Sequence, residues 1–267
     1  MNIWTERSMN LANQKNYLDL LFKVYPLSIN ERRELKDDQW NKVKYAFDHK
    51  NKIDMIKHLC DLEIFPIKDS YVAYLKRDRS AIERNPNTVD RISGILFEMG
   101  LNDIYENCTM PKETNRQIGP LFKNWIDNDS LGAKVYKSTV EFALSEGNAI
   151  LNVSDLEMKQ FAKEQFGYKR NKGLDFIARF NNTYVLGEAK FLSDFGGHQT
   201  DQFEDAIATI HSTLVGGLCK NAKVLKIAIL DGVLYINSRN KMHIYLKEHE
   251  DEIILSSLLL REFLYSL

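Results

Sequence analysis

The chain has 267 residues, a formal net charge of −1 and 44% hydrophobic residues, enough apolar content to fill one large or two small domain cores. A charge this near zero excludes a general affinity for polyanions, so contact with nucleic acid must rest on local basic patches. No apolar run reaches the roughly 18 residues of a membrane span, and the amino terminus, MNIWTERSMNLANQK, has no apolar stretch suited to a signal peptide. The expectation is a cytoplasmic protein with no membrane association. Cys60, Cys108 and Cys219 are odd in number and far apart, which fits buried reduced thiols rather than a disulfide frame or a zinc site.

Residues 1–110 read as a mostly helical region. Helical spacing of apolar residues predicts helices over 13–24, 29–50 and 51–62. Phe65-Pro66 breaks the pattern, and a helix over 69–83 follows with Tyr71, Tyr74 and Leu75 on its core or interface side. Asn85-Pro86-Asn87 stops it, Thr88 caps a helix that runs to Met99, and Gly100 ends it. Lys76, Arg77, Arg79 and Arg84 form a basic cluster that is either a DNA patch or a solvated face.

A catalytic domain is expected over 111–267. In 111–127, PKETNRQIGPLFKNWID, Gly119-Pro120 predicts a turn, and Pro120 opens a short helix with Phe122 and Trp125 on one face. Asn115, Arg116 and Gln117 precede that turn. Arginine reads guanine bidentately and Asn or Gln reads adenine, so these three are candidate DNA-binding residues, set against a plain polar linker. Ser154-Asp155-Leu156-Glu157 predicts a capping box on a helix ending near Gly167. Lys163, Lys169, Arg170, Lys172 and Arg179 form a second basic cluster leading into the segment that carries the chemistry, with Lys172 a candidate DNA-binding residue, set against a solvated helix face.

That segment is 172–206, KGLDFIARFNNTYVLGEAKFLSDFGGHQTDQFEDA. Alternating runs over 174–180 and 183–189 flank Asn181-Asn182, a pair suited to the positive-φ positions of a two-residue hairpin turn. If Phe180 pairs with Thr183, Asp175 falls opposite Glu188, with Cβ atoms about 4.5–5.5 Å apart. Lys190 then shares their face, about 6.6 Å along the strand. Facing carboxylates repel unless a cation or proton relieves them, and hard oxygen donors suit Mg²⁺, which takes one or two carboxylates and completes its shell with water and phosphate oxygens. Such an ion would acidify water and neutralise phosphoryl charge, with Lys190 placed to assist. Set against this reading is a solvated face with a surface ion pair. Gly187 leaves room for close backbone approach, and the apolar neighbours of Glu188 argue against a polar rim. His198 and Gln199 follow Gly196-Gly197 at the start of a helix expected over 199–214. They are candidate phosphate contacts, or a pair that steadies the turn. Beyond lie a buried strand over 224–230, a hairpin turn at Asp231-Gly232, a strand over 233–236, and a terminal helix with Ile253, Leu255, Leu258, Leu259 and Phe263 on its packed side.

Asp, twelve residues, then Glu-Ala-Lys resembles the active site of the PD-(D/E)XK nuclease superfamily, and looks most like type II restriction endonucleases. Leu174 stands where the superfamily often has proline. The resemblance implies an α/β fold, a restriction-endonuclease-like mixed sheet flanked by helices, with a helical N-terminal region beside it. It implies that Asp175 and Glu188 hold Mg²⁺ with the main-chain carbonyl of Ala189, and that Lys190 is the catalytic lysine. Glu141, Glu157 and Glu164 are open alternatives for an additional acid. The implied activity is sequence-specific hydrolysis of double-stranded DNA by in-line attack of water, leaving 5′-phosphate and 3′-hydroxyl ends. Two strands require two sites, which favours a homodimer on a palindromic sequence. A cognate DNA methyltransferase would belong to the same system without necessarily touching the enzyme. The alternatives are a structure-specific repair or junction-resolving nuclease of the same superfamily, and a DNA-binding protein without activity.

Overall fold

Alternating side chains at the centre of the second half of the chain build one mixed sheet. Its strands are β1 (Lys134–Tyr136), β2 (Ala149–Leu151), β3 (Phe176–Phe180), β4 (Thr183–Leu192), β5 (Lys223–Gly232) and β6 (Ile253–Leu255), side by side in that order. The pairs β2–β3 and β3–β4 are antiparallel, whereas β1–β2, β4–β5 and β5–β6 are parallel. Parallel neighbours need a crossover, and helices supply it after β4 and β5. The computed structural model describes residues 1–27, 32–111, 114–219 and 221–267, with 114–116 described by backbone alone.

Contacts divide the chain into Met1–Leu27 with Thr114–Leu267, and Ser28–Glu113. The first unit holds the sheet, α1 (Ile3–Ala12) and α2 (Tyr17–Val24). The second holds α3 (Asp37–Asp48), α4 (Lys52–Asp61), α5 (Val72–Arg77), α6 (Ala81–Arg84), α7 (Pro86–Met99) and α8 (Leu101–Cys108). The first unit resumes with α9 (Thr114–Asp127), α10 (Thr139–Leu144), α11 (Asp155–Phe166), α12 (Gly197–Ile210), α13 (Lys241–Glu248) and α14 (Leu260–Tyr265). The helical region expected over 1–110 is thus shared between the units. Thr5 Oγ1 donates to Ile254 O at 2.9 Å, and Ser8 Oγ accepts from Ser256 N at 2.9 Å, tying α1 to the sheet end.

The parity of β3 and β4 sorts their side chains between two cores. Phe176, Ala178, Phe180 and Val185 join a cluster that includes Phe122 of α9, with the rings of Phe122 and Phe176 6.4 Å apart. Ile177 and Leu186 face the other way, into a cluster with Phe142, Phe161 and Phe166 of α10 and α11. Residues 28–113 have a separate core around Met55, Ile56, Leu59, Ile82 and Ile92.

The expected α/β architecture is present, and the capping box at Ser154 and Glu157 is formed. Several element readings need correction. Helix α9 runs straight through Gly119-Pro120, so Pro120 sits inside a helix and opens none. The expected helix over 69–83 is two short helices, since Asp78 breaks it by accepting from Ser80 N and Oγ. Helix α7 starts at Pro86 rather than at a Thr88 cap, though Gly100 ends it as expected at φ 82°. The reading of a helix over 29–50 lies outside the described residues at 29–31, and α3 covers its later part. Tyr71 and Tyr74 are exposed, at 63% and 60%, which takes them out of the core, and Cys219 is exposed while Cys60 and Cys108 are buried.

The carboxyl-terminal third departs most. Asp231-Gly232 is the end of β5, not a hairpin turn, and a 3₁₀ turn, Val233–Tyr235, replaces the strand expected after it. Asp231 is fully buried and accepts from Tyr25 Oη at 2.8 Å, Ser256 Oγ at 2.5 Å and Ser257 N at 3.2 Å. Burial pushes its carboxyl above the usual range, against the pull of those hydrogen bonds. The expected terminal helix is instead β6, the 3₁₀ turn Ser257–Leu259 and α14, with Leu255 and Phe263 buried.

Two substitutions test these assignments. Gly232 has φ 104°, and a Cβ there would lie 2.1 Å from Leu192 O; Gly232→Ala should therefore cost more than about 1 kcal/mol in urea denaturation. Asp231→Ala strands the buried Tyr25 and Ser256 hydroxyls and should cost about 2–4 kcal/mol by the same measurement.

Candidate active site

Asn181 and Asn182 turn the chain at φ 46° and 63°, as a two-residue hairpin with β-strand twist requires. The register follows: Phe180 pairs with Thr183 and Phe176 with Gly187. Asp175 N donates to Gly187 O at 3.1 Å, carrying the ladder one residue past β3. Asp175, Glu188 and Lys190 consequently share a face. Gly187 points to the opposite one, where a Cβ would lie 3.2 Å from Ile227 and 3.4 Å from Phe176.

The three heads converge. Lys190 Nζ lies 2.8 Å from Asp175 Oδ2, 2.7 Å from Glu188 Oε1 and 3.1 Å from the carbonyl oxygen of Ala189. Ala189 N also donates to Asp175 Oδ2 at 2.9 Å, which fixes the carboxylate's orientation. The Glu188 side chain is 1% exposed. Burial, then repulsion from Asp175, raises its proton affinity, although Lys190 and Lys172 pull the other way. Burial opposes the charge on Lys190, but Asp175 and Glu188 outweigh it and hold the ammonium above its ordinary value. A carboxylate, a second carboxylate and a carbonyl therefore point at one ammonium, and Glu188 Oε2 is a buried oxygen with no hydrogen-bond partner.

Lys172 belongs to the same group. Its Nζ lies 2.7 Å from Glu188 Oε1 and also pairs with Asp205 of α12, as does Arg170. Arg170 further donates to Asp205 O at 2.9 Å and to Thr209 Oγ1 at 2.8 Å. Arg179, from the same basic cluster, is spent on structure: it is 8% exposed and donates to Gly147 O and Ser145 O. Three of the four residues of the first basic cluster are engaged likewise, while Arg77 is exposed. Lys76 donates to Leu62 O and Glu63 O, Arg79 to Cys60 O and Asp61, and Arg84 pairs with Asp78.

A cleft of about 530 Å³ opens beside Asp175, lined by Lys123, Lys137, Asn152 and Asp155 among others. Lys123 Nζ reaches Asp155 Oδ1 at 2.6 Å. Asp155, which the sequence places only in a capping box, is the first residue of α11, the helix before the segment that leads to Asp175. Glu157 is committed to the cap of α11, and Glu164 accepts from Gln160 Nε2 at 2.5 Å. Glu141 lies in the first turn of α10 and is also engaged at its cap through its main chain. Gln199 is 6% exposed and accepts from Ser193 N at 3.3 Å, and His198 Nε2 lies 3.1 Å from Gln202 Nε2. The first contact spans the turn into α12, and the second lies within the helix. Gln117 is half-buried on α9, whereas the side chains of Asn115 and Arg116 lie outside the described residues.

Among the described residues no group of three or more His, Cys, Asp or Glu is arranged to hold a metal ion. No described helix is long and apolar enough to cross a membrane. No curated protein and no solved structure matches the chain. A family model described as Tsp45I type II restriction enzyme matches residues 2–267. Restriction enzymes of this type are site-specific endonucleases that bind double-stranded DNA and generally use a divalent metal. With nearly its whole length matched, the chain belongs to the Tsp45I type II restriction enzyme family.

Proposed function

We propose that this endonuclease is a Mg²⁺-dependent enzyme of the PD-(D/E)XK type, with Asp175, Glu188 and Lys190 as its catalytic residues. The observation that carries the reading is the meeting of Asp175, Glu188 and the Ala189 carbonyl around Lys190 Nζ. The donor set fits the ion. Two carboxylates and a carbonyl are hard oxygen ligands, few enough to leave positions for water and a phosphate oxygen. The partnerless Glu188 Oε2 supplies an acceptor that a cation would satisfy. When bound, Mg²⁺ would acidify water and offset phosphoryl charge.

The chain's own residues do the rest. Asp175 is held by Ala189 N, so its free lone pairs keep one orientation. Lys190, an ammonium stabilised by both acids, orients the attacking water and stabilises the negative charge that grows on the phosphorane oxygens. The products are a 5′-phosphate and a 3′-hydroxyl. We read the enzyme as a cytoplasmic C2 homodimer with one site per strand, paired in its system with a methyltransferase that protects the same sequence.

Plasmid DNA in Mg²⁺ should give discrete fragments whose ends map to one short sequence, and EDTA should abolish cutting. Cleavage confined to branched DNA would favour a repair role instead, and salt-sensitive binding without cleavage a non-catalytic one. Asp175→Ala and Lys190→Ala should each lower the cutting rate by more than about a hundredfold. Both should keep the circular dichroism of the fold and DNA binding in Ca²⁺; wild-type rates in either variant would remove it from the site.

A further inference from the structure

Glu188 is served by two ammonium groups rather than one. Lys190 and Lys172 both lie 2.7 Å from the same oxygen, Glu188 Oε1. Their surroundings differ. Lys190 shares its charge with Asp175 and the Ala189 carbonyl, within the ladder of β4. Lys172 sits on the segment between α11 and β3, with a side chain 31% exposed against 21% for Lys190, and its other partner is Asp205.

Formal charges in this group balance. Asp175, Glu188 and Asp205 contribute three negative charges, and Lys172, Lys190 and Arg170 three positive ones. A divalent cation added to this balanced group brings two charges in excess, and release of one resident cation halves that excess. Lys190 meets the very donors assigned to the ion, so its head must shift as well, but it stays on β4 beside Ala189. Lys172 is the cation able to leave, because Asp205 remains its anchor and water reaches its head.

We propose that Lys172 is a placeholder cation: its ammonium occupies Glu188 in the metal-free enzyme, is displaced when a divalent ion binds, and then contacts a backbone phosphate of the DNA. Lys172 is thus a positioning residue that links metal loading to grip on the substrate, rather than a simple surface phosphate contact. This inference rests on the metal site proposed above, with Asp175 and Glu188 as ligands.

The test uses full-length protein without DNA, titrated with Ca²⁺ in an isothermal calorimeter. Lys172→Gln removes the competing charge and should bind Ca²⁺ about fivefold more tightly or better. Lys172→Met should do the same, and guards against a folding defect peculiar to glutamine. Lys172→Arg keeps the charge and should stay within about twofold of wild type. Equal or weaker Ca²⁺ binding in both neutral variants would overturn the proposal, as would tightening in the arginine variant. Asp175→Asn separates the two readings. If it lowers Ca²⁺ affinity while the neutral variants fail to raise it, the metal site stands and the placeholder falls; if it leaves Ca²⁺ affinity unchanged, both fall. In saturating Ca²⁺, Lys172→Gln should also flatten the salt dependence of DNA binding, by about 0.9 in the slope of log K against log salt. An unchanged slope would overturn the transfer to phosphate.

Discussion

A two-residue turn fixes the site. Asn181 and Asn182 take left-handed backbone conformations, which lets β3 and β4 pair with only these two residues between Phe180 and Thr183. Side chains on a strand alternate, so a slip of one residue along β4 would move Glu188 and Lys190 to the opposite face from Asp175. The same slip would turn Val185 away from the cluster of Phe176 and Ala178, and Leu186 away from that of Ile177. Core packing and site geometry thus impose the same register. The position of the acids is therefore held by the hydrophobic effect as well as by the turn.

That placement creates an electrostatic problem which the neighbouring residues solve. Glu188 lies on the same face as Leu186, beyond the reach of bulk water, and a carboxylate there is costly unless paired and hydrogen-bonded. Two lysines meet one of its oxygens while the other has no partner. An arrangement optimised for stability alone would satisfy both. The unmet oxygen, the raised proton affinity of Glu188 and the nearby open cleft are the features on which the proposed site rests.

How far the sequence disclosed this depends on the range of the interactions involved. The hairpin at Asn181-Asn182, the face shared by Asp175, Glu188 and Lys190, and the cap at Ser154 are set by neighbours a few residues to some fifteen residues apart, and their patterns are visible in the chain. The end of β5 is different. Asp231-Gly232 has turn composition, but Tyr25 and Ser256 reach Asp231 from 206 and 25 residues away and make it a buried hub. Pro120 likewise reads as a helix opener. Packing of Phe122 and Ile126, both about 1% exposed, outweighs the hydrogen bond that proline forfeits in mid-helix. Asp205, thirty residues beyond Asp175, carried no motif at all; only the fold brings it to Lys172.

The route by which Asp205 arrives explains why the charged group is a unit. After α12 the chain doubles back, and Tyr168 bridges Leu214 in antiparallel fashion. Leu218 N and Cys219 N donate to Glu164 O and Gln165 O at the end of α11. Gly167 and Gly217 allow this approach: a Cβ on either would lie within 2.4 Å of a backbone oxygen of the other segment. The segment from 168 to 175 is therefore fastened at one end by this clasp and at the other by the β3 ladder. Lys172 and Arg170 are presented to α12 from a short span with two fixed ends. A backbone held this way loses little freedom when a substrate or ion is added, even where a side chain on it moves. Strand β4 holds the acids and Lys190, and the clasp holds the second tier of charge against them.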